Sequence, residues 1–200
     1  MLVWINGPFG GGKTTTAHEL ARRCSGAVVC DPEEVGFGLR RAMPREVWGD
    51  DFQDLRSWRA GVVEVLDRTL RGVTGPVVVP MTLVDDRYVD EVIGGLRSLG
   101  HDVRHVALIS SPEEVRRRLF WRAIPGIGRD LWALDQVDRC LGALTRPGFA
   151  DQVHTGGRTV AQVADAVAAL CGLGITPSDD GPLRGWLRRT RTSLRHIRLE

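Results

Sequence analysis

Lysine is almost missing from this chain: of its 27 basic residues, 26 are arginine and one, Lys13, is lysine. Long apolar runs are missing too, and none approaches the roughly 18 residues that a membrane-spanning helix needs. The opening MLVWINGPFG has only a strand-length apolar run, with no basic flank before it and no cleavage-type sequence after it, so no secretory signal is expected. Cysteine is sparse. Cys24, Cys30, Cys140 and Cys171 show neither C-x-x-C spacing nor a histidine partner at metal-ligand distance, which argues against zinc or a disulfide framework and for reduced thiols in a cytoplasmic protein. The five histidines form no metal constellation, and His18, inside the first helical stretch, reads as a surface residue. A guanine-reading N-K-x-D motif and an apolar strand ending in Asp-Glu are both absent, which argues against a GTP switch and an ATPase motor.

What is present fits one compact domain. Two hundred residues, 42% apolar and 26% charged, are enough to bury a core and too apolar for disorder. The net charge of +2 hides a split: residues 182–200 hold six arginines against Glu200 alone, which is +5 and leaves −3 for the rest. A mildly acidic body lacks the broad basic face of a dedicated nucleic-acid binder, so no nucleic-acid partner is expected.

Short buried-type runs alternate with helix-patterned segments. Strands are expected at Leu2 to Ile5, Ala27 to Cys30, Val77 to Val79, 103–110 and Gln152 to Thr155. Helices are expected at 14–24, at 58–72 with Val62, Val65, Leu66 and Leu70 on one face, and at Asp86 to Leu99, closed by Gly100. A further helix starts at Pro112, with Ser111 as its N-cap and Glu114 completing a capping box. Trp132 to Leu144 and Thr159 to Cys171 complete the set. This alternation predicts an α/β, doubly wound, mainly five-stranded parallel sheet covered on both faces.

The lone lysine stands in Gly7-Pro8-Phe9-Gly10-Gly11-Gly12-Lys13-Thr14, which satisfies G-x-x-x-x-G-K-[ST] between a strand and a helix. Glycines let backbone N–H groups curl around phosphate oxygens, and the helix that follows aims its positive end at them. Gly7, Gly10, Gly11, Gly12, Lys13, Thr14 and Thr15 are therefore the expected nucleotide-binding residues of a P-loop NTPase fold. Lys13 reaches the β- and γ-phosphates and the Thr14 hydroxyl ligates Mg²⁺, making ATP and Mg²⁺ the expected cofactors. A compact ammonium can follow a phosphoryl group through transfer in a way that a planar guanidinium does not.

Asp31 follows the second strand. At the carboxyl end of a strand beside the phosphate loop it is placed to accept or order an acceptor hydroxyl, or it is an Asx-turn residue before Pro32. Arg116, Arg117, Arg118, Arg122 and Arg129 crowd the segment after Pro112, with Arg118 and Arg122 on one face at i,i+4. Guanidinium groups on a hinged helix pair neutralise charge on a transferred phosphoryl group, so Arg118 and Arg122 join Lys13 and Asp31 as candidate catalytic residues, on a small helical lid at about 112–146. Arg158, in HTGGRT, sits where the chain can close over an adenine base.

WINGPFGGGKTTTAHEL, VVCDPEEVGFGLRR, FQDLRSWR and the closing LRHIR resemble the tunicamycin-resistance proteins of the TmrB type, over nearly the whole chain. The resemblance implies an ATP-binding, nucleoside-kinase-like or NMP-kinase-like P-loop protein that protects a bacterium from the nucleoside antibiotic tunicamycin. Similar small kinases carry an aspartate after the second strand, matching Asp31; Pro8 and Gly11 depart from the more usual Ala-Phe-Gly-Ser-Gly loop. The expected activity is phosphorylation of a hydroxyl on a small molecule, most simply tunicamycin. Sequestration of the antibiotic by an ATP-binding protein, and a regulatory NTPase, are the alternatives.

The expected organisation is a kinase-like domain at 1–175, then a linker and basic tail at 176–200. In the tail Leu183, Leu187, Thr190, Leu194 and Ile197 recur at helical spacing beside the arginines. Such a basic amphipathic helix docks on the domain, touches ligand or lies on an anionic membrane surface; the last gives peripheral contact at the inner membrane surface through 182–200.

Overall fold

The computed structural model describes residues 1–122 and 131–178. Five strands, β1 (Leu2–Asn6), β2 (Val28–Val29), β3 (Val77–Pro80), β4 (Val103–Ile109) and β5 (Asp151–His154), form one parallel sheet in the order β2-β3-β1-β4-β5. Leu2 pairs with Val77 on one side and Val103 on the other. The helices are α1 (Lys13–Arg23), α2 (Glu33–Ala42), α3 (Arg56–Gly72), α4 (86–98), α5 (Pro112–Arg122), α6 (Leu131–Asp135), α7 (Val137–Leu144) and α8 (Val160–Cys171). Helix α4 is two α-helical turns, Asp86–Val89 and Gly95–Ser98, joined by a π segment over Asp90–Gly94.

Period-two alternation along β1 explains the double winding. Leu2 and Trp4 pack with Trp58, Val62 and Leu66 of α3 and Val92, Ile93 and Leu96 of α4. Val3 and Ile5 point the other way, to Ala17 and Leu20 of α1 and Val163 and Val167 of α8. Every residue of β1 is buried, as a central parallel strand with both faces covered must be. A third cluster, Ala107, Ile109, Cys140, Leu144 and Val84, seats α7 against the end of β4. The buried Arg23 fastens α1 to α8 by its ion pair with Asp165 and to the following chain by a 2.7 Å bond to the Thr176 carbonyl.

Several details differ from the pattern read in the sequence. Strands β1 and β2 do not lie side by side, because β3 pairs with both, so Asp31 leaves the sheet from an edge. Val65 is 41% exposed; the buried face of α3 is Trp58, Arg59, Val62 and Leu66. The expected helix at 132–144 is broken at Gln136 into α6 and α7. Ser111 does cap α5, accepting from the Glu114 N–H at 3.2 Å, but the Glu114 carboxylate turns to the Ser110 hydroxyl and Arg118. His18 is half-buried. The tail at 182–200 and residues 123–130 of the expected lid lie outside the described residues. Among those described, no helix is long and apolar enough to cross a membrane and no cluster of ligands could hold a metal ion.

One buried side chain ties the sheet to the loops above it. Asn6, the last residue of β1, accepts the Gly7 N–H (2.9 Å) and the Leu83 N–H (3.0 Å) at Oδ1 and donates from Nδ2 to the Leu83 carbonyl (2.6 Å) and to His105 Nε2 (3.0 Å). Two N–H donors on one atom identify that atom as the oxygen, so the amide nitrogen faces His105 and the imidazole accepts. The ring is neutral: burial foremost, with a smaller contribution from Arg97, lowers its pKa from 6.5 to about 4.

This arrangement makes stability depend on pH in a set direction. Because the folded-state pKa is depressed, the stabilisation is full above the unfolded value near 6.5 and is lost as the pH falls toward 4. The difference corresponds to about 3 kcal/mol at the acid end. Urea unfolding of His105→Gln, which keeps an acceptor but does not titrate, is expected to lose about 2 kcal/mol less than the parent between about pH 7 and pH 4.5. Parallel losses in the two proteins overturn this account.

Candidate nucleotide and acceptor site

The loop between β1 and α1 lies at the carboxyl end of the central strand, where an open α/β sheet forms its ligand crevice. Gly10 (φ 73°) and Gly12 (φ 91°) take left-handed conformations there, and a Cβ on Gly10 would stand 2.9 Å from Leu119 Cγ of α5. Gly12 is the N-cap of α1 and, among the described residues, no side chain caps that end and no acidic residue stands in its first turn. The first-turn N–H groups and the positive end of the helix thus form an anion cradle. Lys13 lies at its rim, with Nζ donating to the Pro8 carbonyl at 3.0 Å and standing 5.4 Å from the Phe9 ring centroid. Thr15 Oγ1 donates to the Gly12 carbonyl (2.9 Å) and braces the turn. Thr14 is half-buried in the first turn of α1.

The floor of the crevice is polar and connected. Thr82 Oγ1 donates to the Gly7 carbonyl at 2.8 Å, and Gln53 Nε2 donates to the Thr82 carbonyl at 3.0 Å. Arg59 Nη1 in turn donates to the Gln53 carbonyl (2.6 Å), while the Arg59 guanidinium pairs with Glu91 on the π segment and lies 4.3 Å from the Tyr88 ring centroid. These bonds tie α3, α4 and the strap at 43–55 to the phosphate loop. Arg40 lies over Trp48 and Phe52, and Trp48 Nε1 donates back to the Arg40 and Met43 carbonyls, holding the strap against α2.

On the other flank, Arg118 bridges α5 and the loop after β5: Nη2 donates to Glu114 Oε1 (2.6 Å) and Nη1 to Thr155 Oγ1 (3.3 Å). The Ser110 hydroxyl, donating to Glu114 Oε2 at 2.6 Å, is the main reason that carboxyl is held below the usual range, with Arg118 adding to it. Arg158 is exposed in that loop, and its N–H donates to the Thr155 carbonyl at 3.2 Å. Arg122 is the last residue of α5; its side chain lies outside the described residues.

Asp31 forms the Asx turn that the sequence allows, Oδ1 accepting the Glu33 N–H at 3.0 Å at the start of α2. A cavity of about 700 Å³ opens between the strap, the loop after β3 and the α6–α7 pair. Asp31 is not one of its lining residues; Asp51, Gln53, Asp85, Tyr88, Trp132 and Arg139 are among them. The cavity adjoins the phosphate loop, since Trp132 packs edge-on against Phe9 with centroids 5.0 Å apart, and the Cys140 thiol feels the charges of both Lys13 and Asp51. Burial pushes the Asp51 carboxyl up, only partly offset by the Gln53 N–H that it accepts. These residues were missed in the sequence, although the paired aspartates of Asp50-Asp51 and Asp85-Asp86 were a visible signal.

The residues present fit the phosphates of a nucleoside triphosphate: a helix start without a side-chain cap, two left-handed glycines and the chain's lone ammonium meet at one point. Gly10→Ala, which strains the loop and drives a methyl group into Leu119, is expected to weaken binding of an ATP analogue at least tenfold by calorimetry, on the basis of about 1–3 kcal/mol of strain. Parental affinity in that variant overturns the cradle.

A family model described as an AAA domain matches residues 2–147. No curated protein matches the chain. The solved structure of the tunicamycin resistance protein of Deinococcus radiodurans is similar to it at 31% identity and TM-score 0.74, covering 88% of this chain and 99% of that one. A gluconokinase from Sinorhizobium meliloti shares the fold at 16% identity and TM-score 0.59, over 98% of this chain and 97% of its own. The APS kinase CysC of Mycobacterium tuberculosis, in complex with AMPPNP and APS, shares it at 19% and 0.56, over 86% and 96%. The chain therefore belongs to the AAA-domain family and, within it, to the P-loop, kinase-like tunicamycin-resistance proteins.

Proposed function

We propose that this protein is an ATP-dependent phosphotransferase that phosphorylates a hydroxyl of a nucleoside antibiotic, tunicamycin. The observation that carries the reading is the junction of phosphate loop and cavity, where Phe9 of the loop meets Trp132 of the cavity lining and Cys140, next to the lining residue Arg139, feels the field of Lys13. The likeness to a tunicamycin resistance protein supplies the antibiotic, and the kinases that share the fold support the reaction class.

Mg²⁺-ATP supplies the phosphoryl group. Gly10, Gly12 and the first turn of α1 would hold its phosphates through backbone N–H groups, while Gly7 and Gly11, whose own N–H groups donate to Asn6 and to the Pro8 carbonyl, shape the loop around them; Lys13 would follow the group being transferred, Thr14 would hold the metal and Thr15 braces the loop. Asp31, held by its turn at the end of β2, accepts the proton of the attacking hydroxyl or aligns it. Arg118, steered by Glu114 and Thr155, and Arg122 one turn later neutralise charge developing on the phosphoryl oxygens. Arg158, in the loop after β5, closes over the nucleotide base. The segment 112–146 acts as the lid, and 176–200 as a linker and basic tail that reaches domain, ligand or membrane surface.

Mass spectrometry of tunicamycin incubated with the protein and Mg²⁺-ATP is expected to find one added phosphoryl group. Lys13→Ala and Lys13→Arg are expected to abolish the transfer, and Asp31→Asn to reduce it at least a hundredfold, in the range of a lost general base. Unmodified antibiotic under conditions of tight binding, or resistance that survives Asp31→Asn, overturns phosphotransfer in favour of sequestration. Phosphate release without an acceptor points instead to a regulatory NTPase.

A further inference from the structure

The cavity beside the phosphate loop carries a charge pattern of its own. Asp50, Asp51 and Asp54 enter it from the strap and Asp85 and Asp86 from the loop after β3; among the described lining residues Arg139 and Arg146 answer them, and Arg40 of α2 adds its field at Asp51. Arg146 is already matched, its two terminal nitrogens donating to the two oxygens of Asp86 at 2.7 and 2.6 Å. Among the described residues, four carboxylates then face Arg139 in the lining and Arg40 beside the strap. The positive charge of the site lies at Lys13, outside the lining, so the crevice is positive where phosphate is held and negative beyond it.

A second observation is independent of charge. Gln53 is 8% exposed and lines the cavity, and its amide nitrogen is committed to the Thr82 carbonyl at 3.0 Å. That bond fixes the carboxamide so that its oxygen serves as a hydrogen-bond acceptor. The Tyr88 hydroxyl donates to Asp54 (2.7 Å), which turns a donor of the lining inward on the protein. Acceptors therefore predominate, and the groups that satisfy acceptors are hydroxyls and N–H groups. The volume of about 700 Å³ suits a small molecule rather than a chain segment.

We propose that this cavity selects a hydroxyl-rich acceptor carrying no negative charge and rejects phosphorylated or carboxylated ones, with Asp50, Asp54 and Asp85 as the specificity-determining groups. The inference rests on reading the cavity as the acceptor site of the phosphotransferase. Rejection comes from like charge in a partly enclosed space, where Coulomb repulsion is stronger than in bulk water.

Uridine and uridine 5′-monophosphate, titrated by calorimetry into the full chain loaded with Mg²⁺ and a non-hydrolysable ATP analogue, test it. Uridine is expected to bind saturably and its monophosphate at least about tenfold more weakly, with the gap narrowing at high salt as charges are screened. The double variant Asp50→Asn, Asp85→Asn is expected to shrink the ratio of the two affinities several-fold; Asn at 85 still caps α4, and Asp50 is exposed, so the fold is kept. Equal or tighter binding of the monophosphate, no saturable uridine binding at millimolar concentration, or an unchanged ratio in the double variant overturns the proposal. Because the analogue transfers nothing, this result is separate from the phosphorylation assay: discrimination without transfer removes the kinase reading alone.

Discussion

The Asn6 carboxamide is where the sheet becomes a site. It is fully buried at the end of β1, and its two polar atoms engage the Gly7 N–H, both backbone groups of Leu83 and the ring of His105. A parallel strand that ends inside the molecule leaves the backbone groups beyond it without a ladder, and buried backbone groups must find partners. Asn6 supplies them with one side chain, and in doing so sets where the phosphate loop starts relative to the loop that follows β3. Leu83 and Val84 then run directly into the cavity wall.

Two polar chains tie the surrounding elements together. One runs through Thr82 and Gln53 to Arg59 and the π segment of α4, and it reaches the carboxylates of the strap. The other runs from Ser110 through Glu114 and Arg118 to Thr155, and joins α5 to the end of β5. The first borders the cavity, and the second lies on α5, whose Leu119 stands against Gly10 of the phosphate loop. A π segment where the first chain enters α4 widens one turn of that helix, a distortion that recurs at functional positions in helices.

The nucleotide half was legible in the sequence because its physics is local. Phosphate binding needs particular backbone conformations at fixed spacing, and Gly10, Gly12, Lys13 and Thr14 stand together in eight residues. The strands were legible too, since burial on both faces requires unbroken apolar runs such as Leu2 to Ile5. The acceptor half was not, because it is assembled from the strap, the loop after β3 and α6–α7, which meet only in the folded chain. Asp31 shows the limit: its place after β2 was readable, but the strand order that puts β3 between it and β1 depends on crossovers that no local pattern records. The break at Gln136 likewise follows from packing, with α6 turned so that Trp132 meets Phe9.

The strap at 43–55 follows α2 and is held by Arg40, Trp48 and Gln53 rather than by strand pairing. Gln53 links it through Thr82 to the phosphate loop, whereas Asp50 and Asp54 stand exposed, outside that chain of bonds. The fold thus separates the phosphate cradle, built on a central strand and the helix after it, from the cavity wall, built largely on loops. Substitution of Asp50 or Asp54 alters the charge of that wall while leaving the backbone of the cradle in place.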